Sequence, residues 1–128
     1  MYPKDFKYTK EHEWAKPEGS RVRVGITEHA QQELGDIVYV ELPAEGRQVK
    51  QGESFITVES VKAVSDIYAP VSGEVVEVNR KLEDQPELIN RSPHDQGWLA
   101  IIEMGDPKEL DRLLSASDYE QFLGKGEE

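Results

Sequence analysis

Apolar and polar side chains alternate over several short segments of the chain, a pattern typical of β-strands with one buried face. Glycine and proline residues separate these segments. The predicted strands cover residues 21–26, 37–42, 54–59, 64–68, 74–78 and 98–103. Strands of this length, spaced roughly 8–12 residues apart, indicate a β-sandwich or a small flattened β-barrel.

Two segments have helical spacing instead. Thr27 can cap a short helix over residues 28–34, and Gly35 follows at the position where glycine commonly ends a helix. Leucine and aromatic residues recur at helical intervals over residues 107–123, with a predicted break near residues 115–117. We expect the apolar stripe of this C-terminal stretch to pack on the β-structure.

The length of 128 residues suits a single domain over residues 1–128, with a core at about 8–104 and a helical segment at about 107–124. The net charge of −11 argues against nucleic acid as a partner, because phosphate binding needs clustered cations. The longest apolar run, residues 98–102, is far shorter than the ~20 residues of a membrane helix. With no secretory leader recognised, a cytoplasmic protein without membrane contact is expected.

The chain contains no cysteine, so it has no disulfide, no thiolate nucleophile and no cysteine-ligated metal. Any redox chemistry would have to come from a prosthetic group. Its three histidines are scattered without paired spacing, and no metal site is expected.

Lys62 is the most informative single residue. It is the only basic residue between positions 51 and 79, and it lies where two predicted strands meet. A hairpin tip would point its amine into water, and the small neighbours Val61 and Ala63 would leave room for another protein. A simple solvated turn lysine fits the same pattern, so the residues alone leave both interpretations open.

A wider set of motifs surrounds this lysine. They are E-S-V-K-A-V-S-D at 59–66, A-P-V-S-G-E-V at 69–75, H-E-W at 12–14, G-I-T-E-H-A-Q at 25–31, L-G-D-I-V-Y-V-E-L-P at 34–43, P-E-L-I-N at 86–90 and G-W-L at 97–99. Together, and over nearly the whole chain, these motifs resemble the glycine cleavage system H protein family.

The resemblance implies a mainly β fold of the lipoyl-domain type, a barrel-sandwich hybrid with a short helix after the first strand and a short helical C-terminus. It also implies lipoate as a covalent cofactor on Lys62. The protein would be a non-catalytic carrier in glycine catabolism. Its arm would accept an aminomethyl group from glycine decarboxylase (P protein) and present it to the tetrahydrofolate-dependent aminomethyltransferase (T protein). Dihydrolipoamide dehydrogenase (L protein) would then reoxidise the arm.

The same resemblance suggests roles for other residues. Candidates for recognition by the lipoate-attaching enzyme are Glu59, Val61 and Ala63. Glu13 is a candidate for the wall of a cleft beside the arm, where its carboxylate could hold the cationic aminomethyl nitrogen. Both glutamates could equally be ordinary exposed acids. The sequence departs from the family pattern at Glu33, where some members have histidine, and at His94, where the family usually has tyrosine. Glu33 is assigned no role, and the loop that carries His94 could contact a partner differently.

Several alternatives remain. A biotinyl domain is disfavoured because its lysine normally lies between two methionines, and a dehydrogenase lipoyl domain normally has aspartate before the lysine. An H-like carrier that serves lipoate relay or another lipoate-dependent pathway stays open. Two hypotheses of other functional classes also stay open. One is a small hydrolase that uses its carboxylates, and the other is an unmodified interaction module.

Overall fold

Two antiparallel sheets form the body of the protein in a computed structural model that describes residues 2–126. The strands are β1 (Lys7–Tyr8), β2 (Glu13–Glu18), β3 (Arg21–Ile26), β4 (Ile37–Glu41), β5 (Gln48–Val49), β6 (Ser54–Ser60), β7 (Val64–Tyr68), β8 (Gly73–Val78) and β9 (Ala100–Met104). One sheet has the order β1-β2-β3-β9-β8-β5 and the other the order β4-β6-β7. Buried side chains of both sheets, among them Val24, Val58 and Ile102, share one apolar core.

The helices are α1 (Glu28–Leu34), α2 (Lys81–Asp84), α3 (Leu88–Arg91) and α4 (Ala116–Gly126), with a 3-10 helix at Pro107–Arg112. The predicted limits of α1 are confirmed. The side chain of Thr27 accepts a hydrogen bond from the backbone N–H of Ala30, and Gly35 ends the helix with φ +80°. The helix was expected after the first strand, but it follows the third. The two strands that precede β3, β1 and β2, were not predicted.

The mainly β fold with all six predicted strands is confirmed, each end within two residues of its expected position. Strand β2 was missed because it contains Pro17 and several charged residues. Proline is tolerated there because residues 16–18 pair only with β3, while β1 pairs with residues 14 and 15. Strands β1 and β5 are two residues long, too short to show a period.

The C-terminal segment divides into two helical pieces, as predicted, and the first piece is a 3-10 helix. Its two halves pack in different places. Leu110 and Leu113 lie against the main core. Tyr119 of α4 belongs to a second, aromatic cluster with Tyr8 and Trp14, on the edge of the six-stranded sheet.

Candidate functional site

Strands β6 and β7 form a hairpin, and Lys62 lies at its tip. Glu59 and Val64 are the last paired residues, which leaves a short turn that carries the lysine. The side chain of Lys62 is exposed. Within residues 2–126, no carboxylate lies close enough to its amine to form an ion pair. The amine is therefore open to another protein.

The turn itself is held by hydrogen bonds to all three of its backbone N–H groups. The N–H of Val61 donates to the carbonyl oxygen of Asp36 at 3.0 Å. Those of Lys62 and Ala63 both donate to the hydroxyl oxygen of Ser60, at 3.3 and 3.0 Å. A serine hydroxyl that caps the N–H groups two and three residues later is a recurrent turn device. Ser60 therefore fixes the backbone that presents the lysine, a role that the motif alone did not reveal.

A loop from α1 to β4 supports the turn from the side. Asn90 of α3 holds this loop by donating to the carbonyl oxygen of Gly35 at 2.8 Å and accepting from the N–H of Ile37 at 2.8 Å. A Cβ atom on Gly35 would lie 3.5 Å from Cε of Lys62. The stem of the lysine therefore passes over a glycine, and its position is next to the C-terminal end of α1.

The predicted recognition residues lie together around the lysine. Val61 and Ala63 are exposed in the turn, and Glu59 is half-buried at the end of β6. Whether an attaching enzyme contacts them stays a prediction.

Glu13, the candidate cleft residue, is buried and only 1% exposed. One carboxylate oxygen accepts a hydrogen bond from the hydroxyl of Thr9 at 2.5 Å, and the other accepts from the backbone N–H of Tyr68 at 3.1 Å. Burial raises the pKa of Glu13 to about 7, although both hydrogen bonds act in the opposite direction. The carboxylate thus ties the turn before β2 to the end of β7, and its role toward a bound arm stays a prediction.

A small cleft of about 140 Å³ does lie nearby, between α1 and β7. It is lined by Glu11, His12, Ile26, Ala30, Glu33, Leu34, Ser65 and Ile67. Two of these residues, Glu11 and His12, directly precede Glu13, which itself does not line the cleft. Glu33, where the sequence departs from the family pattern, contributes a carboxylate 3.5 Å from His29. A cleft with two carboxylates suits a cationic group.

Helix α4 is fixed to the N-terminal end of α1 by a buried tyrosine. The hydroxyl of Tyr119 lies 2.7 Å from Nδ1 of His12 and 2.9 Å from the hydroxyl of Thr27. His94, the other departure, also lies here, and its Nε2 accepts from the N–H of Glu28 at 3.1 Å. Burial lowers the pKa of His94, which favours the neutral ring that can accept this bond. These contacts hold the wall of the cleft in place.

No group of histidine and acidic residues within the described part of the chain is arranged to hold a metal ion. Across residues 2–126, none of the helices combines the length and apolar character needed to span a membrane.

Comparison with known proteins gives a consistent result. The family model described as glycine cleavage H-protein matches residues 6–126. The glycine cleavage system H protein of Anaeromyxobacter sp. (strain K) is 55% identical over 125 residues, which is 98% of each chain. That of Geobacillus kaustophilus is 54% identical over 124 residues, 97% of this chain and 98% of the relative.

A solved structure agrees with these sequences. The glycine cleavage system H protein from Mycobacterium marinum matches with a TM-score of 0.82 and 40% identity, over 99% of this chain and 100% of that one. The match confirms the lipoyl-domain type of fold predicted from the sequence.

Proposed function

The chain belongs to the glycine cleavage H-protein family, and on this premise we propose that Lys62 carries lipoate and that the protein is the non-catalytic carrier of that system. The observation that supports the attachment site is an exposed amine, without an ion pair to any described carboxylate, on a turn whose N–H groups are all hydrogen-bonded. A fixed turn holds the backbone of the lysine in one position, which suits an enzyme that must find a single lysine.

Attachment of lipoate to Lys62 would form an amide with its side-chain nitrogen. Attachment requires the neutral amine to attack an activated lipoyl carbonyl, as an acyl adenylate or acyl thioester. The Nζ–C bond forms, the leaving group departs with the electron pair of the broken bond, and Nζ loses two protons between ammonium and amide. The side chain then loses its positive charge, which changes the formal net charge from −11 to −12.

Bound lipoate supplies a disulfide that can be opened by reduction, chemistry that a chain without cysteine lacks. The proposed partners are glycine decarboxylase, the aminomethyltransferase and dihydrolipoamide dehydrogenase, between whose active sites the protein would carry an aminomethyl group. The contribution of the chain is tethering, which raises the effective concentration of the arm at each docked site.

The cleft between α1 and β7 is suited to shelter the loaded arm. It includes Leu34, adjacent to the Gly35 position that the lysine stem crosses. The carboxylates of Glu11 and Glu33 would attract the cationic aminomethyl nitrogen. The buried Glu13 would act indirectly, because its hydrogen bond with Thr9 holds the turn that carries Glu11. We propose that it positions the cleft rather than contacts the cargo.

The test is the mass of the intact protein purified from a lipoate-competent host, followed by peptide mapping. We expect one lipoyl group on the peptide that contains Lys62, and none on a Lys62→Arg variant. Lys50→Arg is the matched control, since Lys50 is also exposed in a turn but lies near the opposite end of β6. The modified wild type and the control should support the exchange of carbon dioxide with glycine by the decarboxylase. Exchange sustained by Lys62→Arg would contradict the proposal.

A further inference from the structure

Large hydrophobic side chains are exposed at one place on the protein. Among the described residues, the exposed ones are Val38 and Tyr39 of β4, each 52% exposed, Val61 in the turn at 70%, and Val64 of β7 at 67%. We call these four residues the apolar patch. Single exposed hydrophobic residues are ordinary, but a cluster of them indicates an interaction surface.

The register of the three-stranded sheet brings two residues of this patch to either side of Glu59. Tyr39 pairs with Glu59, and Glu59 pairs with Val64, so their side chains lie side by side on the outer face. Glu59 therefore lies between two apolar side chains. Two positions farther from the lysine, the same face carries Glu41, Thr57 and Asp66. Next to Lys62 the face thus carries two apolar side chains with Glu59 between them, and the row beyond it carries two further acids.

The distance to the amine indicates which protein covers this surface. Nζ of an extended lysine lies about 6 Å from its own Cα, so an enzyme that forms a bond to Nζ must contact the residues next to Lys62. A protein that acts at the far end of a lipoyl-lysine arm, roughly 14 Å long, has no such requirement. The attaching enzyme is therefore the partner for which contact with Val61 and Val64 is obligatory.

We propose that the apolar patch is the docking surface for the enzyme that attaches lipoate to Lys62, an inference that rests on the proposed function. The complementary surface has an apolar centre and cationic side chains that face Glu41, Glu59 and Asp66. A cation paired with Glu59 is shielded from water by Tyr39 and Val64, which strengthens that pair. The recognition surface thus extends from the hairpin onto β4.

The test measures lipoyl transfer from lipoate and ATP to the full-length unmodified chain by a purified lipoate-protein ligase. The variants are Val64→Thr and Tyr39→Thr. Each introduces threonine, which is more polar than the residue it replaces and also favours β-strands. Val76→Thr on β8 is the matched control, a half-buried valine of the other sheet. We expect each patch variant to raise KM for the carrier about fivefold or more, as for a typical interface side chain. The kcat of each patch variant should stay within about twofold of wild type. The same holds for the KM and kcat of the Val76→Thr control.

Other outcomes overturn the inference. They are an unchanged KM in both variants, an equal rise in the control, or a fall in kcat alone. Normal lipoylation of variants that fail only with the decarboxylase would assign the patch to that enzyme instead. A dimer of the unmodified chain in sedimentation, lost in the variants, would assign it to a second copy. If the wild type is not modified at Lys62, the proposed function fails before the variants are compared, so the two failures are distinguishable.

Discussion

The buried carboxyl group of Glu13 allows a quantitative test of the structure. In the variant Glu13→Gln, the amide oxygen can accept from the N–H of Tyr68 while the amide nitrogen donates to the hydroxyl of Thr9. The protonated acid makes the same two contacts. The substitution therefore removes the ionisation and keeps the shape and hydrogen bonds of the neutral side chain.

The expected magnitude follows from the shift of the pKa, from an ordinary value of 4.5 to about 7. Between these values the folded protein keeps a proton that the unfolded chain releases, so the free energy of unfolding falls as pH rises. A difference of 2.5 pKa units corresponds to about 3 kcal/mol. The penalty is absent below pH 4.5 and complete above pH 7. Relative to wild type, Glu13→Gln should therefore gain about 3 kcal/mol of stability between pH 4 and pH 8.

The assay is urea unfolding of both proteins over this pH range at constant ionic strength, followed by tryptophan fluorescence. Taking the difference between variant and wild type cancels the other titrating groups. Glu103→Gln is a control of opposite sign, because hydrogen bonds from Ser20 and Arg21 lower the pKa of Glu103 and stabilise the fold when that group is ionised. A difference for Glu13→Gln that stays constant within about 1 kcal/mol would refute the reasoning, since the carboxyl group would then titrate as if in water.

Three further predictions concern docking and packing. The association of the carrier with the decarboxylase should slow as ionic strength rises above about 0.15 M, because screening weakens the attraction of an acidic surface to a basic one, and stopped-flow measurements check this. Tyr119→Phe should lower the free energy of unfolding by about 1–2 kcal/mol in urea, because it leaves His12 and Thr27 without a shared hydroxyl. Gly25→Ala should cost about 3 kcal/mol or more in the same assay, since its Cβ would lie 2.5 Å from the buried ring of Trp14.

Six of the nine strands in the described part of the chain, and α1, were predictable because their signals are local. Alternation of apolar and polar residues indicates a strand with one buried face. The ends of α1 require only Thr27 and Gly35 at the right spacing. Helices α2 and α3, four residues each, are too short for a helical period to be recognised. In β2, Glu13, Trp14 and Ala15 are all buried, because one face packs on the main core and the other on the aromatic cluster. Because apolar and polar residues do not alternate here, the burial of this glutamate could not be predicted.

The position of Lys62 was predictable from the sequence, and the contacts that support it were not. An exposed lysine at the tip of a hairpin was predicted and is confirmed, and its role as an attachment residue stays a proposal. The contacts that fix the turn join residues distant in sequence, such as the N–H of Val61 and the carbonyl of Asp36. The apolar patch likewise depends on the register that places Tyr39 beside Glu59. Such neighbours follow from tertiary structure, which a single sequence does not display.

The hydrogen-bonded turn has a consequence for the lifetime of the protein. An exposed lysine at a loop tip is a preferred site for nicking by trypsin. Such proteases bind a substrate backbone in extended form, whereas the N–H groups of Val61, Lys62 and Ala63 are already occupied. Cleavage of the 62–63 bond would need local opening first, and limited digestion of the native chain should cut other lysyl bonds earlier. The newly made carrier can thus display its lysine to one enzyme while resisting others that recognise the same side chain.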